Sequence, residues 1–126
     1  MKKVIISNEA PAAIGPYSHA ILTDNIAFLS GQIPLDPSTG KLVEGGIEEQ
    51  TVQVLKNISA ILNTAGLTFD NVIKTTVFLS DLANFKTVNE IYGKYFTSDC
   101  PARSCVQVAA LPKGAHVEIE VIAAVK

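Results

Sequence analysis

The spacing of apolar positions changes character along this 126-residue chain, and each change marks an element. Residues 4–6, Val-Ile-Ile, predict a short opening strand. Residues 9–16, Glu-Ala-Pro-Ala-Ala-Ile-Gly-Pro, are small or turn-forming and predict a loop. Residues 17–22 and 26–33 flank a tight turn at Asp24-Asn25, the pattern of a hairpin that Pro34 closes. The period then becomes helical over 47–64, where Ile47, Val54, Leu55, Ile58, Ile61 and Leu62 share one face. Glu48 and Glu49 suit the positive end of that helix, and Gly66 stands where a helix stop belongs. The β-branched run 71–79 predicts a strand. Asp81 and Asn84 are both suitable caps for a second helix over 85–96, with Phe85, Val88, Ile91, Tyr92 and Tyr95 as its apolar stripe. Residues 104–110 and 116–125 predict the last two strands.

The order is β-β-β-α-β-α-β-β, which predicts an α+β single domain spanning 1–126 with both helices on one face of a six-stranded mixed sheet. The final strand indicates what covers the other face. Val117, Ile119, Val121, Ala123 and Val125 alternate with Glu118, Glu120, Ile122 and Ala124, so the second face starts polar and turns apolar. A water-facing surface would stay polar, and a partner subunit accounts for the change. Composition agrees. Apolar residues make up 48% of the chain and charged residues 17%, against a usual charged share of about a quarter.

The formal charge is −2 and no basic run is present, which argues against nucleic acid as a partner. The apolar run at residues 4–6 is too short for a signal-peptide core, and none approaches the ~20 residues of a membrane span. The expectation is a soluble, cytoplasmic protein. Cys100 and Cys105 match neither a zinc nor a dithiol spacing, and His19 and His116 complete no ligand set, so no metal is expected.

The chemistry-bearing residues concentrate in the last quarter. Arg103 follows Pro101 at the mouth of a predicted strand, and its guanidinium fork suits a carboxylate, though a surface arginine reads the same way. Glu118 and Glu120 share one strand face, as an acid/base pair or as solvated and paired charges, with Arg103 the evident partner. Tyr17 either meets a ligand or covers a core edge, the latter being favoured. Ser30-Gly31-Gln32 interrupts an apolar strand, where the glycine marks a bulge, a close approach or a packing adjustment. Cys105 reads as a buried structural thiol and His19 as a solvent-facing strand residue.

These blocks together resemble the RidA/YjgF family of small imine/enamine deaminases. The similarity runs from Ala10-Pro11-Ala12-Ala13-Ile14-Gly15-Pro16-Tyr17-Ser18 through Ser30-Gly31-Gln32-Ile33-Pro34 and Lys74-Thr75-Thr76-Val77-Phe78. It is most specific at Pro101-Ala102-Arg103-Ser104-Cys105-Val106, Leu111-Pro112 and Val117-Glu118-Ile119-Glu120. The resemblance implies a chorismate-mutase-like (ferredoxin-like) fold and a homotrimeric barrel with clefts between subunits. It implies cofactor-independent hydrolysis of 2-imino acids such as 2-iminopropanoate and 2-iminobutanoate. By the same resemblance, Arg103 binds the substrate carboxylate and Glu118 orients or activates the attacking water. Tyr17, Ser30, Gly31, Asn89 and Cys105 line the cleft. The chain departs from the family pattern at Gln107, where glutamate is frequent, and at Ala110, where a basic residue is frequent. The alternative within the family is a non-catalytic trimer that binds 2-oxo acids, or a chaperone.

Overall fold

Alternating strand faces and one amphipathic stripe per helix force a two-layer solution, with the helices packed on a sheet. The computed structural model, which describes residues 1–125, has that form. Six strands, β1 (Lys3–Ile5), β2 (Ala20–Leu22), β3 (Ile26–Gln32), β4 (Val72–Leu79), β5 (Ala102–Gln107) and β6 (Val117–Ala124), lie in the order β1-β2-β3-β6-β4-β5. All neighbours are antiparallel except β4 and β5, which are joined through helix α2 (Phe85–Tyr95) and run parallel. The longer helix α1 (Ile47–Thr64) connects β3 to β4. Among the described residues no helix is long and apolar enough to cross a membrane.

The core lies between the helices and one sheet face. Val54, Leu55, Ile58, Ile61 and Leu62 of α1 are fully buried, as are Val117, Ile119 and Ala123 of β6. Gly66 takes φ +79° and ends α1 where the sequence places the stop. Asp81 caps a short 3-10 turn, accepting from the Ala83 N–H, and Asn84 precedes α2 without a side-chain capping bond. The other sheet face carries no helix. Phe28, Ile73 and Val106 are exposed there, beside Glu118, Glu120 and Ile122 of β6. The strand β5 is an edge, and five of its six residues are exposed.

Two strand starts and the burial of one residue differ from the sequence expectation in ways that bear on the site. The second strand begins at Ala20, so Tyr17 and His19 lie in the loop before it. His19 is buried, not solvent-facing: its Nδ1 accepts from the Ser7 N–H at 2.9 Å and its Nε2 bonds the Pro11 carbonyl at 2.7 Å. A backbone N–H can only donate and a carbonyl can only accept, so the Nε2–H tautomer is fixed. The fifth strand begins at Ala102 instead of Ser104, because Lys74 to Leu79 offer a parallel ladder to residues 102–107. Arg103 therefore stands within β5 rather than at its mouth.

Candidate functional site

Glu118 is built into a cavity at one end of the uncovered sheet face. Its strand places it opposite Phe78 of β4, between Val117 and Ile119, whose side chains face the core. The β3–β6 register shifts between Leu29 and Gln32, and this bulge brings the backbone of Gly31 against the Glu118 carboxylate. A Cβ on Gly31 would collide with Glu118 Oε2. Of the readings open for this glycine, the bulge and a close approach are both realised, the approach being that of the Glu118 side chain. The cavity encloses about 450 Å³, and Tyr17, Ser30, Gly31, Gln32, Pro112 and Glu118 are among its walls.

Fully and partly buried polar side chains hold those walls. Ser30 Oγ donates to the Ser18 carbonyl at 2.6 Å, tying β3 to the loop that carries Tyr17. The His19 bridge between Ser7 and Pro11 fixes the start of that loop. Asn57 of α1 donates to the Ile33 and Leu35 carbonyls at 3.3 and 3.0 Å, and Gln50 Oε1 accepts the His116 N–H at 2.9 Å. These hydrogen bonds fix segments that carry lining residues, among them Pro11, Ser30, Ile33 and Leu35. Tyr17 covers no core edge. It is 47% exposed, with its ring at the cavity.

Burial raises the Glu118 carboxyl above the ordinary glutamate range, and the charge of Glu120 raises it further. Such a group holds or releases a proton nearer neutrality than a free carboxylate does, which suits proton relay.

Arg103 lies elsewhere. On β5 it pairs with Thr75, whose side chain is buried against the helices, so the arginine turns toward α2. Its Nη1 donates to Asn89 Oδ1 at 2.7 Å, and its guanidinium carbon stands 4.8 Å from the Tyr92 ring centre and 5.4 Å from that of Phe85. Cys105, two residues on, points to the same face and is half-buried rather than fully enclosed. Burial raises its thiol while Arg103 draws it down, burial being the larger effect. Asn89, Tyr92 and Arg103 help line a second cavity of about 390 Å³.

The expected partnership of Arg103 with Glu118 is therefore not made within one chain. The strand β4 separates β5 from β6, and the two side chains lie on opposite faces of the sheet. Within one chain, the seven residues expected at the site fall into two groups. Tyr17, Ser30, Gly31 and Glu118 form one, and Asn89, Arg103 and Cys105 the other. Tyr92, which the sequence places only in the apolar stripe of α2, stands under the guanidinium. Its position three residues after Asn89, on the same helix face, was the available signal.

The family model described as Endoribonuclease L-PSP matches residues 7–125. A human protein named 2-iminobutanoate/2-iminopropanoate deaminase is 55% identical over 123 residues, covering 98% of this chain and 90% of the human one. The crystal structure of YyfA, a Rid-family protein of Yersinia pestis, is 57% identical with a TM-score of 0.96, covering 98% of this chain and 99% of that one. Escherichia coli TdcF, solved with bound serine, is 44% identical with a TM-score of 0.92, covering 97% and 98%.

Proposed function

The chain belongs to the RidA/YjgF family, the Endoribonuclease L-PSP family of the matching model, and on that premise we propose that it hydrolyses 2-imino acids such as 2-iminopropanoate and 2-iminobutanoate. The observation that carries this reading is the near-full-length identity to proteins named for that activity. The reaction adds water across C=N and releases ammonia, leaving the 2-oxo acid.

The two half-sites define a division of labour. Arg103 takes the substrate carboxylate with the guanidinium N–H groups that Asn89 leaves free. The positive charge also draws electron density from the neighbouring imine carbon. Glu118, as the carboxylate, orients a water and takes its proton as the oxygen bonds to that carbon, giving a carbinolamine. The same proton passes to the nitrogen as the carbinolamine forms; Glu118 then moves the hydroxyl proton to that nitrogen, so the C–N bond breaks and ammonia leaves as the carbonyl forms.

Because one chain keeps these groups on opposite sheet faces, the complete site joins Arg103 of one subunit to Glu118 of the next. The free edge β5 and the apolar uncovered face support assembly through these surfaces. We assign a homotrimer whose uncovered sheet faces form a central barrel, with three clefts between subunits. A reducing, cytoplasmic setting suits the two unpaired thiols.

The test is a coupled assay. A threonine dehydratase generates the imine, semicarbazide competes for it, and 2-oxobutanoate release is followed. Acceleration by the wild type that is absent with Arg103→Ala supports the reading. Binding of 2-oxobutanoate without acceleration would transfer the assignment to a regulatory trimer.

A further inference from the structure

Arg103 begins on an exposed edge strand, where a long side chain would sample many rotamers. A two-bond grip on a carboxylate requires the fork to be ordered beforehand. Asn89 fixes one nitrogen, but Asn89 and Phe85 are themselves exposed. The buried element of the clamp is Tyr92, only 6% exposed, with Arg103 over its ring.

The Tyr92 ring is oriented from below. Its hydroxyl bonds Thr75 Oγ1 at 2.8 Å, and Thr75 is fully buried. Thr75 is also the register partner of Arg103 across the β4–β5 ladder. The contacts therefore close a ring from Arg103 through the strand ladder to Thr75, on to the Tyr92 hydroxyl, and back through the Tyr92 ring to the guanidinium. Phe96 packs against Tyr92 with ring centres 4.5 Å apart. Apolar packing alone would be met by phenylalanine; the paired hydroxyls add a fixed ring orientation.

We propose that Tyr92, held by Thr75, is a positioning residue that orients the Arg103 fork for a carboxylate. This rests on the proposed role of Arg103 as the carboxylate anchor. Tyr92 acts through Arg103 and does not itself touch the reacting atoms.

The test separates positioning from folding. Thr75→Val with Tyr92→Phe removes both partners of one buried hydrogen bond while keeping their shapes, a change that costs little stability. Expected is an unshifted melting temperature with 2-oxobutanoate binding weakened about 3- to 10-fold, the equivalent of roughly 1 kcal/mol. Tyr92→Leu weakens binding by at least about 10-fold in the wild type, yet adds little in an Arg103→Lys background, where no fork remains to orient. In the ligand-free protein, the Arg103 Nε–Hε resonance loses its ring-current shift in Tyr92→Leu. Unchanged affinity in both variants, or an equal loss from Tyr92→Leu in the Arg103→Lys background, would overturn the proposal. A wild type that neither binds 2-oxobutanoate nor hydrolyses imine would instead remove the anchor role, and with it the proposal's premise, whatever the resonance shows.

Discussion

Gly31→Ala should separate activity from stability. A Cβ on Gly31 would lie 3.0 Å from the Glu118 carboxyl carbon and 3.2 Å from its Cγ. Comfortable carbon–carbon contacts are about 3.5–4.0 Å, so the carboxyl must retreat by roughly 0.5–1 Å, and its nearer oxygen further. The clash falls on the far end of a flexible side chain, and Gly31 is not in the left-handed region, so the backbone need not yield. Alanine in a strand gains about 0.5–1 kcal/mol over glycine. Moving Glu118 off its rotamer costs about 0.5–1.5 kcal/mol. These nearly cancel, and the melting temperature should stay within about 4 °C of the wild type. Catalysis has no such offset. A displacement near 1 Å is worth on the order of 100-fold, or about 2.7 kcal/mol in the barrier. The assay is imine hydrolysis under the dehydratase coupling, beside a thermal melt. Full activity in Gly31→Ala would refute the argument, because the Glu118 carboxylate would then have no required position over Gly31.

Other expectations follow from the same geometry. Glu118 works as the carboxylate, so the rate falls as pH drops through its raised value. Glu120→Gln removes the lesser of the two raising causes and should move that limb to lower pH, still above the ordinary glutamate range; an unmoved limb would assign it to another group. The same shift sets a stability trend. The folded chain holds the Glu118 proton more tightly than the unfolded chain, so stability falls as pH rises from the ordinary value to the raised one. Glu118→Gln should therefore gain melting temperature over wild type as pH climbs through that window and show no gain below it. His19→Leu strands the buried Ser7 N–H and the Pro11 carbonyl, a loss of about 2–4 kcal/mol and on the order of 10 °C in melting temperature. A change of less than about 2 °C would mean that water satisfies both groups.

The fold was legible because its elements are locally consistent. Helical spacing at Val54, Leu55, Ile58, Ile61 and Leu62 and alternation along 117–124 each admit one structure, and the two together require a layered sheet. The strand ends were less legible, since β5 begins where β4 offers partners and not where its own residues change type. Glu118 and Glu120 were readable as one face, because a strand's period is local. That Arg103 faces away from them was not readable, because it depends on β4 lying between their strands. His19 was misplaced for a related reason. Its partners, Ser7 and Pro11, come from a loop whose path no periodicity describes.

The central claim is that each site draws Arg103 from one subunit and Glu118 from another. Arg103→Ala and Glu118→Gln should each be inactive alone. Unfolded together in equal amounts and refolded, they should form mixed assemblies in which about a quarter of the sites have both residues intact. Recovery of roughly that fraction of wild-type imine hydrolysis is the predicted result. No recovery, with mass spectrometry showing that mixed assemblies had formed, would contradict the shared site.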